Sequence, residues 1–258
     1  MSKNRSAMVF SHPNHEIAVL GRIQRERPRL IFLTDGGSQS RVDQSRRGLA
    51  SIGAEADATF LDAREDDLYR ALLAQDVEVF AGLSRAVAEL LSDADIDTVY
   101  CDSAEFYNPL HDVALPIVRK ALATRPHLPL FEVPLIHQRE DVRETYEVQR
   151  TPEALRKDCI LFALTDAELA AKRKAFAEAY TALAAQLGED SVALGLARAS
   201  EEHVLRARNA LPLAAPGQVM RYDRRGQALK ESGGVAEAIT FRDHYVPLFK
   251  SLCPGLAA

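Results

Sequence analysis

The sequence predicts an α/β fold, a mostly parallel sheet flanked by helices, and three observations carry that expectation. Short apolar runs with β-branched and aromatic bias recur at 7–10, 30–33, 58–62 and 98–102. Segments with helical periodicity separate them. The connections are short, so the crossovers are right-handed and the strand ends that carry polar residues fall on one edge.

The first strand, 7–10, runs into Ser11 and His12, and the segment from Ile17 to Arg27, closed by Pro28, reads as an amphipathic helix. The second strand, 30–33, stops at Thr34-Asp35-Gly36-Gly37, a strong turn signal. Residues 41–52 are helical in pattern with Gly53 as a C-cap, and 58–62 form a third strand. From Asp67 to Leu91 the pattern is helical with a break near Gly82, and 98–102 is the fourth strand, which places Asp102 at its carboxyl end. The loop 103–112 leads into a helix, so His111 opens a helix beside the sheet edge. Residues 128–135 read as a fifth strand whose Pro129 and Pro134 suggest an edge or an interrupted ladder, with His137 after it. Tyr146-Glu147-Val148 is a short strand, and Thr165-Asp166-Ala167-Glu168 is a capping-box start to a long Ala-rich helix ending near Gly188. Ser200-Glu201-Glu202 caps another helix, and Met220 to Asp223 reads as a strand before the Arg225-Gly226 turn. No repeat or low-complexity linker divides the chain. Residues 1–258 therefore read as one three-layer, Rossmann-like domain with helical and strand additions toward the C-terminus.

Composition bounds the function. With 258 residues, 47% of them hydrophobic and 27% charged, the chain can bury a full core. A net charge of -5 lacks the basic field that nucleic-acid binding requires. Cys101, Cys159 and Cys253 are odd in number and widely spaced, which points to reduced thiols in a cytoplasmic protein, Cys101 being a buried hydrophobe at the end of an apolar run. No apolar segment reaches the ~18 residues of a membrane span. The expected partner is a small-molecule substrate, with no nucleic acid and no membrane. The oligomeric state is not legible.

The stretch with chemistry is His12-Pro13-Asn14-His15-Glu16, two imidazoles and a carboxylate in one turn after a buried strand. If Pro13 or Asn14 opens a helix, both rings lean to one face and converge on one cation. Neutral imidazole suits zinc or iron. Two ordinary turn histidines would satisfy the same spacing. In an open α/β sheet the carboxyl edges carrying His12, Asp35, Asp102 and His111 coincide and line one cleft. Turn or helix capping is the competing role for Asp35, Asp102 and Asp112.

In order and spacing these landmarks resemble the PIG-L/LmbE-like metal-dependent N-deacetylases, which remove acyl groups from amino sugars and related amines. The resemblance covers most of the first 125 residues. The family's His-Pro-Asp-Asp-Glu is matched by His12-Pro13-Asn14-His15-Glu16 and its Thr-x-Gly by Thr34-Asp35-Gly36. Its Arg-x-x-Glu helix ending in Leu-Gly is approximated by Arg41-Val42-Asp43-Gln44 and Ile52-Gly53, and its His-Pro-Asp-His by Asn108-Pro109-Leu110-His111. The helix with Lys172 and Lys174 before Tyr180 is similar to the family's C-terminal helix. The resemblance implies a metal held by His12, His15 and His111, zinc first and iron second, and hydrolysis of a C–N amide bond in a small polar, amino-sugar-like or natural-product substrate. The family's general base falls on Asn14, which has no titratable carboxylate, and its second catalytic histidine on Asn108. Glu16 is then the expected partner of a ligand imidazole, and Glu16 or Asp35 the expected assistant in catalysis. The alternative is a recruited zinc or iron metalloenzyme with non-hydrolytic biosynthetic chemistry on the same three histidines. A third reading is a catalytically silent binding protein.

Overall fold

The computed structural model describes residues 5–93, 95–138, 146–148, 151, 153–183, 192–208 and 220–256. Strand β1 (Arg5–Phe10) pairs in parallel with β2 (Arg29–Thr34) on one side and β4 (Ile96–Asp102) on the other. Beyond β2 lies β3 (Ala58–Ala63) and beyond β4 lies β5 (Leu130–Val133), both parallel. An antiparallel pair extends the far side. A ribbon of β6 (Ile136–Gln138) and β7 (Tyr146–Val148) stands apart, while β8 (Cys159–Ala163) and β9 (Glu201–Arg206) complete a sheet of order β3-β2-β1-β4-β5-β9-β8.

The central strands read as continuous apolar runs because both faces are covered. Ala7 and Val9 of β1, with Ile31, Leu33, Val99 and Cys101, face one core, and Met8 and Phe10, with Leu30, Phe32 and Tyr100, face the other. Helices α1 (Leu20–Glu26) and α2 (Gln39–Ser51) supply Ile23 and Leu49 to the second core. The first core takes Leu68 and Leu72 from α3 (Glu65–Leu73), Phe80 and Val87 from α4 (Val77–Leu90), and Ile117 and Val118 from α6 (Ala114–Ala121), which follows the single turn α5 (Pro109–Asp112). Later in the chain α7 (Asp166–Ala179) and α8 (Val192–Arg198) add to the second core, α9 (Arg221–Glu231) buries Tyr222, and α10 (Val246–Leu252) returns to the first. Three layers result, as the alternation of strands and helices predicts. Fully burying one such Leu or Phe contributes about 1.5–3 kcal/mol. The chain builds β1, β2 and β3 outward on one side and then crosses back to β4, so the loops after β1 and β4 part at a topological switch point.

Five local expectations change. Residues 15–23 are buried, so the segment after the histidines is a core element rather than an amphipathic one, and it begins as a tight helical turn, His15–Val19, before α1. The break between α3 and α4 is at Ala74 to Asp76, where Gln75 takes φ 54° and the Asp76 carboxylate caps the next helix by accepting from Glu78 N at 3.2 Å; Gly82 lies inside α4. Strand β5 is internal, with Pro129 and Pro134 just outside it, where they remove no ladder hydrogen bond. Residues 201–206 form β9 because Glu202 is buried and paired rather than capping. Residues 221–231 are helical, and the Asp223 carboxylate accepts from Phe241 N at 2.8 Å. The helix opened by Thr165 has both capping-box bonds and stops at Tyr180; the expected end at Gly188 lies outside the described residues. Cys101 is buried, and burial pushes its thiol well up, as a core cysteine requires.

Candidate active and metal site

At the switch point the chain leaves β1 and reverses through Asn14, which takes φ 82°, a left-handed conformation that Asn tolerates better than most residues. The turn consumes its side chain. Asn14 Nδ2 donates to Ser45 Oγ (3.1 Å) and Arg41 O (3.1 Å), and Oδ1 accepts from Arg41 Nε (3.0 Å). Arg41 also donates to Pro13 O and Gly36 O, tying the β1 and β2 loops together.

Beside this turn His12, His15 and His111 meet, 1%, 7% and 9% exposed. Ring centroids are 5.1 Å apart for His12 and His15, 4.7 Å for His12 and His111, and 4.3 Å for His15 and His111, all in edge contact. His12 Nδ1 lies 2.5 Å from Glu65 Oε1 and 3.0 Å from Thr34 Oγ1. His15 Nδ1 lies 2.8 Å from Asp102 Oδ2, which also accepts from Ser11 N and Ser11 Oγ, each at 2.7 Å. A carboxylate can only accept, so the His15 Nδ1 that faces Asp102 carries the hydrogen and its Nε2 keeps a lone pair. His12 Nε2, Glu65 Oε1 and His111 Nδ1 are buried with no hydrogen-bond partner. Burial, followed by the charge of His15 and His12, holds His111 well below the ordinary imidazole range. His12 is lowered by burial too, against the opposing pull of Glu65. Burial raises the Glu65 carboxyl, but the His12 imidazole beside it together with Arg41 and His15 leaves it below the usual range.

Among the described residues no three His, Cys, Asp or Glu side chains stand as a ready coordination shell. The donor chemistry nonetheless fits a divalent cation. Two imidazoles have a carboxylate against Nδ1, the arrangement that orients metal-binding histidines, and a third brings a buried nitrogen without a partner.

The expected carboxylates lie elsewhere. Glu16 is fully buried with Oε1 accepting from the Tyr180 hydroxyl at 2.7 Å, and burial raises its carboxyl. The imidazole partners are Glu65 and Asp102 instead. Asp35 Oδ1 accepts from Gly37 N (2.9 Å) and Glu65 N (3.2 Å), closing the turn and capping α3. Asn108 Oδ1 accepts from Leu110 N (2.9 Å) as the cap of α5 and from the Tyr69 hydroxyl (3.3 Å). Asp112 accepts from Glu105 N (2.8 Å) and Phe106 N (3.1 Å), and burial pushes it up to about 8. Glu65 and Tyr69, four apart on α3, escaped the sequence reading. Burial and the Glu65 charge push the Tyr69 phenol up to about 12, so it remains a donor at neutral pH. The available signal was their spacing at the carboxyl end of a third parallel strand.

No family model and no curated protein matches the chain. Solved structures of similar fold include the A40926 pseudoaglycone deacetylase Dbv21, with a TM-score of 0.56 and 15% identity over 79% of this chain and 97% of that one. A deacetylase of the teicoplanin biosynthesis pathway gives a TM-score of 0.53 and 10% identity over 79% and 98%. The zinc-inhibited form of the teicoplanin deacetylase Orf2 gives 0.50 and 8% over 79% and 98%. At these identities the likeness is one of architecture. The chain has the α/β fold of these deacetylases, a mostly parallel seven-stranded sheet flanked by helices.

Proposed function

We propose that the chain is a metal-dependent hydrolase of the N-deacetylase type, acting on a C–N amide bond in a small polar, amino-sugar-like or natural-product substrate. The observation that carries this is the pair of buried histidines at the switch point, each backed through Nδ1 by a carboxylate and both meeting His111. His12, His15 and His111 would hold the ion, with zinc the first candidate and iron the second. When bound, it supplies Lewis acidity toward an amide carbonyl and toward water. Asp102 holds the His15 Nδ1 proton and fixes that tautomer, and Glu65 sets its carboxylate against His12 Nδ1. Tyr69 offers a hydroxyl beside Asn108, and Arg41 locks the turn that sets His12 and His15. The fold shared with the A40926 pseudoaglycone deacetylase and a deacetylase of the teicoplanin pathway is consistent with this type of chemistry.

One observation favours the second reading, a zinc or iron enzyme of non-hydrolytic chemistry. Asn14 cannot serve as a base, and its amide is committed to Arg41 and Ser45. Acid–base catalysis is worth about 10²–10⁴-fold. The deciding experiment measures metal content in protein purified without added metal, together with acetate release from N-acetyl amino sugars by wild type and by Asn14→Asp. Zinc with slow release that rises in Asn14→Asp supports hydrolysis. Iron, with no release by either protein, supports the second reading.

A further inference from the structure

Guanidinium groups from two elements stand around the three histidines. Arg41 of α2 spends Nε, Nη1 and Nη2 on Asn14, Gly36 and Pro13, so its fork is committed to the turn and what it offers the crevice is charge. The other two come from α9. Its first residue, Arg221, donates its backbone N–H to Phe106 O at 3.1 Å, Tyr222 is buried, and the Asp223 carboxylate accepts from Phe241 N at 2.8 Å. Three consecutive residues thus clamp the start of the helix, the first of them to the loop that leads to His111. The clamp sets the Arg221 guanidinium 4.0 Å over the Tyr107 ring, and the Tyr107 ring lies 5.9 Å from that of His111. Both Arg221 and Tyr107 are half-buried, at the border of crevice and solvent. One turn further along α9, the exposed Arg225 is near enough to Tyr69 for its charge to act on the phenol, whose hydroxyl lies 3.3 Å from Asn108 Oδ1.

Stacking holds a guanidinium by its face. Its N–H groups lie in its own plane, where they keep the fork that matches two oxygens of a carboxylate or a phosphate. The carboxylates of the site are turned to other groups: Asp102 to His15, Glu65 to His12, and Asp112 to the N–H groups of Glu105 and Phe106. What α9 presents at the mouth is cationic, and a cleft lined by one sign of charge concentrates ligands of the other. We propose that the substrate carries an anionic group, a carboxylate or a phosphate, in the same molecule as its amide, and that Arg221 receives that group at the mouth of the crevice, with Arg225 adding charge from the next turn. This rests on the amide-hydrolase reading of the three histidines and narrows small polar substrates to acidic ones.

The test is calorimetric titration of the full chain, zinc-loaded and again after chelation, with three forms of one amide sugar: neutral N-acetylglucosamine, its 6-phosphate, and its lactyl ether N-acetylmuramic acid. At least one of the two anions should bind about tenfold or more tightly than the neutral sugar, and which one does tells phosphate from carboxylate. Arg221→Gln should bring that ratio close to one with zinc affinity and circular dichroism unchanged. Arg221→Lys should restore only part of it, since an ammonium keeps the charge and loses the fork. Lys230→Gln makes the same charge change at the exposed far end of α9 and should leave the ratio intact. Anions that bind no tighter than the neutral sugar, binding of none of the three included, overturn the proposal. So does a ratio that Arg221→Gln leaves unchanged or that vanishes on chelation. A chain that takes up no zinc and still shows the Arg221-dependent ratio supports the anion site and overturns the metal-dependent reading instead.

Discussion

At the scale of single residues the site depends on which atom of each imidazole is already taken. His15 spends Nδ1 on Asp102 and His12 turns Nδ1 to Thr34 and the Glu65 carboxylate, so a cation can draw only on Nε2. Removing a carboxylate of this kind typically costs 10–100-fold in metal affinity. Glu65→Gln and Asp102→Asn should therefore each weaken zinc binding by about that factor while the protein stays folded, as read by competition with a chromophoric chelator. His12→Ala, His15→Ala and His111→Ala should lose binding outright. Wild-type affinity in Asp102→Asn would separate His15 from the metal. The histidines were legible because an apolar strand ends in them. Their partners were not, since Glu65 reaches His12 only through the stacking of β1, β2 and β3. Asn14 was legible as a missing carboxylate but not as a structural residue, because its role rests on φ 82° and on Arg41 and Ser45 from α2.

At the scale of elements, β1 to β4 were readable from their periodicity, and the later strands less so. Strand β9 hid behind Ser200-Glu201-Glu202, which has the form of a helix start. What overrules that local preference is distant: Lys172 Nζ lies 2.9 Å from Glu202 Oε1, both side chains fully buried. The pair straddles the junction between the turn His15–Val19 and α1. Lys172 donates to Ala18 O at 3.2 Å, and Glu202 accepts from Gly21 N (2.9 Å) and Arg22 N (2.8 Å). Breaking a buried pair from one side costs about 3–5 kcal/mol. Lys172→Met should lose about that much in urea unfolding, and Lys172→Met/Glu202→Gln should recover part of it; a loss under about 1 kcal/mol for the single variant would mean the pair is not intact in solution. The start of α7 gives a pH test. The Arg25 hydrogen bond outweighs burial and, with Thr165, holds the Glu168 carboxyl down to about 2, against an ordinary 4.5. A depressed carboxylate contributes stability above the unfolded value and loses it as pH falls through the folded one. Wild type should therefore melt above Glu168→Gln at pH 6, with the gap closing between about pH 4.5 and pH 2. A gap that is constant across that range would assign the effect to packing alone.

At the scale of the whole molecule, the site joins parts that the chain order keeps separate. His12 and His15 belong to the loop after β1, and His111 to the loop after β4, on the two sides of the switch point. The two cores lie on the two faces of the sheet, and the crevice opens at its carboxyl edge between these loops. A cation held by all three histidines would tie the β1 loop to the β4 loop and bind the native state alone. Binding of that kind stabilises by RT ln(1 + [L]/Kd), about 2.7 kcal/mol at a free concentration of 100 Kd. For a domain of this size each kcal/mol moves Tm by roughly 2–4 °C, so saturating zinc should raise the melting temperature of chelator-treated protein by about 5–10 °C. His111→Ala should abolish the rise although its own loop stays folded, because two histidines from one loop leave β4 untied. A comparable rise in His111→Ala would place the ion on the β1 loop alone and remove the three-histidine site on which the proposed hydrolysis rests.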